Sequence, residues 1–240
     1  MNKWWILGHG QVAHALVTRL DERGVAYEQG SARQCIQSPP DAAPSSCTGI
    51  VLATTDATIA SLAQSVAHLN LPMLHLSGAT AIDVIPSGIS AAVWWPMQSF
   101  HADHIPWGQF PTFIEARDDH AQTLLTQWQQ DLGIESGMPT NSDQRRDYHL
   151  GAVFANNFSN HIIALYQDFF REKALDREVF DLMLRRTVDR ALDHDDAHEL
   201  QSGPAYRGEA DVIKAHRARL PDDLKAIFDA LTTSIQKHAK

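Results

Sequence analysis

Small residues close to the start of the chain have the spacing of a phosphate-binding turn. Gly8 and Gly10 follow the apolar run Trp4–Leu7, and Ala13 stands three residues later in a segment with helical periodicity. A glycine at the first position permits a tight turn, and one at the second lets the main chain approach a pyrophosphate. The N–H groups that begin the helix would then face the phosphate. This context of strand, turn and helix predicts dinucleotide binding, and a tight turn without a ligand is the alternative.

The ends of two further apolar runs add polar residues to the predicted nucleotide site. Residues 54–56 follow the run Gly49–Ala53, and residues 77–78 follow Pro72–Leu76. Ligands bind at the carboxyl ends of the strands in an open parallel sheet, although Asp56 could serve only as a helix cap. Together with Ser31 and Arg33, which follow the second predicted strand, the predicted cofactor-binding residues are Gly8, His9, Gly10, Gln11, Val12, Ser31, Arg33, Thr54, Thr55, Asp56, Ser77 and Gly78.

The second predicted strand, Val25–Glu28, carries conflicting signals about the choice between NAD and NADP. Glu28 lies 18 residues after Gly10, close to the position of an acidic residue that binds the ribose 2′-hydroxyl of NAD. Ser31 and Arg33 follow it, and this pair suits the 2′-phosphate of NADP. If Glu28 ends the strand, its side chain need not reach the ribose. We therefore favour NADP over NAD, with a solvated loop charge as the alternative for Arg33.

A polar stripe on the long apolar helical stretch Arg145–Phe170 is the candidate catalytic feature. At 100° per residue, His149, Asn156 and Asn160 fall within about 40° of one another on one helix face. A buried amide costs free energy unless it is hydrogen-bonded, and exposure to a cleft would satisfy it. We predict His149 as the general acid or base and Asn156 as an anchor for substrate or nicotinamide, with Asn160 beside them. Hydrogen bonding between helices, or a dimer contact, is the alternative for each.

Two other groups of residues could contact the substrate. Gln98 and Ser99 follow the predicted strand Ala91–Trp95 and would line the floor of the cleft. Arg207 lies in a segment broken by two glycines and a proline, where it could hold a carboxylate or phosphate, or else pair with Glu209 or Asp211.

The pair His194 and His198 has a spacing that can bind a metal, but acidic residues surround it near a predicted helix end. No full ligand signature is present, so a solvated acidic face is favoured over a metal site.

Composition limits the classes of protein that the chain could belong to. Its 240 residues carry a net charge of −9 and 44% hydrophobic residues, and the negative charge argues against nucleic-acid binding. The two cysteines, Cys35 and Cys47, form no Cys-x-x-Cys motif, and no apolar run is long enough to cross a membrane. The first predicted strand starts within a few residues of the first methionine, so we expect no signal peptide. We expect a cytoplasmic protein that acts on a small molecule.

The pattern of predicted elements divides the chain in two. Strands alternate with helices as far as Leu132, which predicts a doubly wound parallel α/β sheet, and residues 34–48 read as a loop. Only helices follow from Asp143 onward. The predicted boundary falls at residues 136–142, giving a dinucleotide-binding domain at 1–140 and an all-α domain at 141–240 for substrate and dimerisation.

The order of these elements resembles a family of Rossmann-like oxidoreductases with a helical C-terminal domain of unassigned function. Its relatives are pyrroline-5-carboxylate reductase, ketopantoate reductase and the 6-phosphogluconate dehydrogenase group. The segments that carry the resemblance are Gly8–Ala13, Leu52–Asp56, His75–Ala79, Trp95–Phe100, Tyr148–Asn157 and Ser202–Glu209. The resemblance implies an NAD(P)-binding domain, a homodimer formed through the helical domain, and hydride transfer to or from a small carbonyl, imine or hydroxy compound. It implies no particular substrate.

The chain departs from that family in two places. Trp95 stands where the family usually has a histidine before the proline, so chemistry from that histidine is absent here. Hydroxyacid dehydrogenase relatives carry a lysine and an asparagine four residues apart on the catalytic helix, whereas this chain has no lysine between Lys3 and Lys173. These departures keep open the alternative of a nucleotide-binding sensor or scaffold without turnover.

Overall fold

The computed structural model describes residues 3–100, 105–135 and 137–239, and its centre is a seven-stranded sheet. The strands are β1 Lys3–Leu7, β2 Tyr27–Gly30, β3 Cys47–Leu52, β4 Met73–His75, β5 Ala91–Pro96, β6 Thr112–Ala116 and β7 Met138–Pro139. Their order is β2-β1-β3-β4-β5-β6-β7. The first five strands are parallel, whereas β6 runs antiparallel to β5 and β7 runs parallel to β6. The predicted α/β fold is confirmed, with its last two strands reversed.

Ten α-helices accompany the sheet in the described residues. They are α1 Gln11–Glu22, α2 Ala32–Gln37, α3 Asp56–Val66, α4 Asp119–Leu132, α5 Ser142–Ala152, α6 Ser159–Glu172, α7 Glu178–Leu192, α8 Pro204–Arg207, α9 Ala210–Ala218 and α10 Asp222–His238. A π-helical segment, Val153–Phe158, connects α5 to α6. Side-chain caps explain some of the starts, since Asp118 accepts from the Ala121 N–H before α4 and Asn141 accepts from the Gln144 N–H before α5. None of these helices has both the length and the apolar character needed to span a membrane.

Two core layers lie on opposite faces of the sheet because side chains alternate along a strand. Trp4 of β1 packs in one layer against Trp128, at 4.9 Å between ring centroids, and the next residue, Trp5, belongs to the other layer. The pair in β5 divides in the same way, because Trp94 faces Trp128 while Trp95 stacks on Phe113. In β1 and in β5, two adjacent tryptophans therefore place one ring on each face of the sheet, and the strands lie between two packed layers.

The chain divides into two compact units, residues 1–156 and 157–240. The first unit extends beyond the boundary that the sequence predicts, and Ser136 in that predicted boundary lies outside the described residues. The whole of α5 belongs to the first unit because Arg145, on its inner face, is fully buried against the sheet. The functional division at residue 140 stays a prediction.

Three local predictions need correction. The second strand begins and ends two residues later than expected, at Tyr27–Gly30. The predicted loop at 34–48 begins later, since α2 continues to Gln37 with Ser31 as its cap. The long helix contains the π-helical segment, so the rotation of 100° per residue that put His149, Asn156 and Asn160 on one face does not hold beyond residue 152.

Candidate functional site

A cleft opens where the sheet order changes direction. β1 lies between β2 and β3, so the crossovers diverge at β1 and β3, and this is where open α/β sheets bind ligands. The cleft has a volume of about 340 Å³ at the carboxyl ends of β1, β3 and β4. Its lining residues are Gly10, Gln11, Val12, Ala53, Thr54, Thr55, Asp56, Leu76 and Ser77. Seven of these nine belong to the predicted cofactor-binding set.

The two glycines of the turn differ in whether the fold requires glycine at their positions. Gly8 has a φ of +152°, and a Cβ there would lie 1.9 Å from the Ala53 carbonyl oxygen, so packing against β3 requires glycine. Gly10 has a φ of −76°, which any residue adopts, and a Cβ there would meet no described atom within 4 Å. The folded chain itself therefore gives no reason for glycine at position 10. A group brought close to the main chain from outside would give one.

Both helices that begin at the cleft present free N–H groups. Gly10 is the N-cap of α1, and the described residues supply no side-chain cap. Thr55, not Asp56, is the N-cap of α3, also without a side-chain cap within the described part of the chain. The capping role considered for Asp56 is therefore wrong, and its carboxylate is exposed as the first residue of α3. Two helix starts at one cleft form an arrangement that favours anionic groups.

At the end of β2 the structure separates the two candidate selectors of the cofactor. Glu28 lies within the strand, level with Trp5, and its carboxylate accepts from Lys3 Nζ at 2.6 Å. Ser31 follows the strand and caps α2, with its hydroxyl accepting from the Gln34 N–H at 3.2 Å. Arg33 is exposed in the first turn of α2 and makes no ion pair with any described residue. The free cation, not the carboxylate, stands beside the strand end.

His149 lies on a row of rings beside the cleft. Its ring is 5.7 Å from that of Trp95, which stacks at 5.1 Å on Phe113. A Cβ on Gly78 would lie 2.7 Å from His149 Cδ2 and 2.6 Å from Trp95 Cε2. Gly78 directly follows Ser77 of the cleft, so glycine there lets the candidate acid or base approach the cleft. Trp95, which replaces the expected histidine, is a packing residue in this chain.

A buried ion pair that the sequence analysis missed anchors α5 to this region. The Arg145 guanidinium is fully buried and donates to the Glu115 carboxylate and to the carbonyls of Ser77, at 3.2 Å, and Thr80. The same carboxylate accepts from the hydroxyl and the N–H of Ser142 at the start of α5. Arg145 therefore joins the loop that contributes Ser77 to the helix that carries His149. The available signal was the spacing of four between Arg145 and His149, which puts both on one helix face.

His75, at the end of β4, is fully buried beside this ion pair. Its Nδ1 accepts from the Ser77 N–H at 3.2 Å, and no described group satisfies its Nε2 with normal hydrogen-bond geometry. Burial, helped by the positive charge of Arg145, lowers the pKa of His75 to about 3. The imidazole is therefore neutral in the folded protein at neutral pH, and we find no sequence signal that indicates this.

The low pKa of His75 predicts that the protein loses stability in mild acid. Between the ordinary pKa of 6.5 and the folded value of about 3, the unfolded chain binds one more proton than the folded chain. The free energy of unfolding should then fall by about 1.4 kcal/mol for each pH unit below 6.5. His75→Asn, which keeps an acceptor for the Ser77 N–H, should remove about 2 kcal/mol of the loss between pH 7 and pH 5. Urea titrations at pH 7 and pH 5 measure this loss of stability. An unchanged loss in His75→Asn would contradict the prediction. So would an equal effect of His14→Asn, a control on the exposed face of α1.

The structure gives the local surroundings of the remaining predicted site residues. Asn156 is exposed in the π-helical segment, and Asn160 is exposed in the second unit. Arg207 makes a bidentate ion pair with Glu209 at 2.7 and 3.1 Å, which is the alternative that the sequence left open. Gln98 donates to the Ser99 carbonyl at 2.9 Å in the segment after β5.

The two histidines of the acidic segment make local contacts. Nδ1 of His194 lies 3.0 Å from the Asp196 carbonyl oxygen, and His198 stacks on His238 at 4.5 Å between ring centroids. Within the described ranges, no group of three or more side chains of metal-ligand type converges.

Comparison with known proteins places the fold. The model of a family described as a domain of unknown function (DUF2520) matches residues 110–235. No curated protein sequence matches the chain. A provisionally named NADP oxidoreductase from Bacteroides fragilis superposes with a TM-score of 0.81 at 22% identity, with 98% of each chain covered.

Two further solved structures share the architecture. A protein from Thermotoga maritima has a TM-score of 0.63 at 16% identity, with 98% of each chain covered. An imine reductase from Bacillus cereus has a TM-score of 0.58 at 14% identity, and the match covers 100% of this chain and 95% of that one. At these identities the comparisons confirm the resemblance to Rossmann-like oxidoreductases at the level of the fold.

Proposed function

The chain belongs to the DUF2520 family, and we propose that it is an NADP-dependent oxidoreductase. The reaction proposed is hydride transfer to or from a small carbonyl, imine or hydroxy compound. The observation that carries the proposal is the free space at Gly10. No described part of the folded chain requires glycine at this position, whereas a bound pyrophosphate would require it. The fold shared with a provisionally named NADP oxidoreductase is consistent with it.

The residues of the cleft fit a dinucleotide. The free N–H groups at the start of α1 would bind the pyrophosphate, with Gln11 and Val12 against it. Ser31 and Arg33 would hold the 2′-phosphate at the end of β2. The N–H groups at the start of α3, beside Thr54 to Asp56, would extend the site toward β4. The chemistry that NADP brings to such a site is hydride transfer.

His149 is the residue we propose to move the proton. Its ring lies beside Gly78, one residue from the cleft, so a substrate between cleft and helix would have its carbonyl oxygen or imine nitrogen within reach of the imidazole. An imidazole ring has one nitrogen that can donate a proton and one that can accept it, which suits a general acid or base. Asn156 would anchor the substrate or the carboxamide of the nicotinamide, with Gln98 and Ser99 as further substrate contacts.

A homodimer through the C-terminal helices is part of the proposal. Among the described residues of the second unit, Phe170 is the one hydrophobic side chain that is buried. On α7 the side chains of Val179, Leu182 and Met183 are more than half exposed. Five helices with so little core would be marginal alone, and a second copy of the chain would cover these side chains.

The choice of cofactor tests the first step of the proposal. Titration with NADPH and NADH, followed by nicotinamide fluorescence, should give tighter binding of NADPH. Arg33→Ala should weaken NADPH binding by about tenfold, because a charge-assisted contact to the 2′-phosphate is lost, and should leave NADH binding almost unchanged. Glu28→Gln, at a residue already paired with Lys3, is the matched control. A preference for NADH that Glu28→Gln abolishes would contradict the proposed selector.

Substitution of the helix residues separates an enzyme from the alternative of a sensor or scaffold. His149→Ala should keep NADPH affinity and slow NADPH oxidation with a responsive imine or ketone by about 100-fold, the scale of one general acid or base. Asn156→Ala should raise KM more than it lowers kcat. His14→Ala, on the exposed face of α1, should change neither. Full biological activity of both His149→Ala and Asn156→Ala with intact NADPH binding would instead favour a sensor.

A further inference from the structure

A second, larger cavity lies on the first unit, on the flank of α5. Its volume is about 800 Å³, and it is bounded by β6, β7 and α5. The side chains that give it its character are Met97, Phe113, Met138, Gln144, Asp147 and Tyr148. It shares no lining residue with the cleft at the ends of β1, β3 and β4. We propose that this cavity binds a small organic cation, an amine with an apolar or aromatic body.

Aromatic and thioether groups form the apolar part of the cavity. The Tyr148 ring lies 4.5 Å from the Phe113 ring, at an angle of 37° between their planes. Tyr148 is half exposed, so one face is accessible to a ligand. Met97 and Met138 add polarizable side chains that adapt to ligand shape. Such walls bind apolar bodies, and the electron-rich ring faces attract cations.

The charge at the cavity favours a cation over an anion. Asp147 is the one charged side chain among the described residues that line it, and it makes no ion pair within the described ranges. The neighbouring cations are engaged elsewhere, because Arg145 pairs with Glu115 and Arg146 pairs with Asp143. A carboxylate without a partner beside an aromatic face is the combination that recognises an ammonium group.

The position of Gly151 shows that α5 leaves room for this ligand. Gly151 lines the cavity, and a Cβ there would meet no described atom within 4 Å. Glycine inside a helix lowers the stability of the helix by about 1 kcal/mol relative to alanine, so the open surface at Gly151 is accompanied by a loss of stability. A bulky side chain at position 151 should therefore fill the cavity without straining the helix.

Methionine methyl resonances give a direct test with internal controls. Met97 and Met138 line the cavity, whereas Met73 is buried in the core and Met183 lies on α7 of the second unit. Titration of the full chain, labelled at methionine methyl groups, with 2-phenylethylamine should shift the first two signals and leave the other two in place. The amine should bind about fivefold tighter than 2-phenylethanol, and 3-phenylpropanoate should bind weakest.

Variants decide whether Asp147 and the cavity carry the effect. Asp147→Asn should weaken 2-phenylethylamine binding to the level of the alcohol, whereas Asp143→Asn removes the same charge one turn earlier and should not. Gly151→Leu should abolish binding of all three probes while the methyl spectrum of the core stays native. Equal binding of amine and alcohol, no shift of Met97 and Met138, or an equal effect of Asp143→Asn would overturn the proposal. So would shifts of both signals with protein concentration alone, which would assign the cavity to a second copy.

Discussion

Gly10→Ala is expected to weaken NADPH binding by about 100-fold, or about 2.8 kcal/mol, while the protein remains folded. The reason is local: the new Cβ would meet no described atom of the chain but would occupy the space that the proposed pyrophosphate needs. The φ of −76° at this position also suits alanine, so no backbone strain is added. Nicotinamide fluorescence titration measures the affinity, and urea denaturation checks that stability is retained.

Gly8→Ala is the matched contrast, two residues away in the same turn. Its Cβ would lie 1.9 Å from the Ala53 carbonyl oxygen, and its φ of +152° disfavours any side chain. We expect a loss of about 3 kcal/mol or more in the free energy of unfolding. If Gly10→Ala bound NADPH normally, the pyrophosphate would not lie at this turn and the proposed function would fail at its first step. If Gly10→Ala lost stability as Gly8→Ala does, the argument from free space at position 10 would be wrong.

Arg145→Met is expected to lower the free energy of unfolding by about 3–5 kcal/mol. The substitution leaves the Glu115 carboxylate without its buried partner and removes the donor to the carbonyls of Ser77 and Thr80. Arg146→Met is the neighbouring control. Arg146 is half exposed and pairs with Asp143 at the surface, so its loss should cost less than about 1 kcal/mol.

The double variant Arg145→Met with Glu115→Leu tests whether Arg145 stabilises the protein through its ion pair with Glu115 or only through the volume of its side chain. Removing the orphaned carboxylate should recover much of the stability that Arg145→Met loses, because a buried charge without a partner is the main cost. Denaturation of the four proteins of this cycle measures the coupling between the two residues. An additive double variant would contradict the buried pair. Weakened NADPH binding in Arg145→Met alone would add that the pair positions the loop that carries Ser77.

The cleft at the ends of β1, β3 and β4 could be predicted from sequence because its determinants are local. The apolar run, the glycines and the helix that follows are contiguous from Trp4 to Leu20, and the ends of β3 and β4 are short runs of polar residues after apolar ones. A parallel sheet brings such ends together whatever the details of packing. The glycine motif and that rule together account for seven of the nine residues that line the cleft.

The prediction that His149, Asn156 and Asn160 share one helix face failed because it used only the local sequence. A uniform rotation per residue is an assumption about hydrogen bonding, and the π-helical segment at Val153–Phe158 breaks it. The prediction of the residue that selects between NAD and NADP had the same difficulty. The observed β2 is shifted by two residues, so Glu28 lies within the strand and not at its end. Element ends depend on pairing with distant residues, which no single window of sequence contains.

The sequence by itself therefore determined the α/β class, the position of the glycine turn after β1 and the strand ends that surround it. Only the tertiary structure decided which polar residues serve packing and which remain free. Arg145 and Glu115 are 30 residues apart and become a buried pair when α5 lies on the sheet, whereas Arg33 and Asp147 find no partner among the described residues. The physical reason is that the state of a charged side chain is set by neighbours in space, and those neighbours come from strands and helices far apart in the chain.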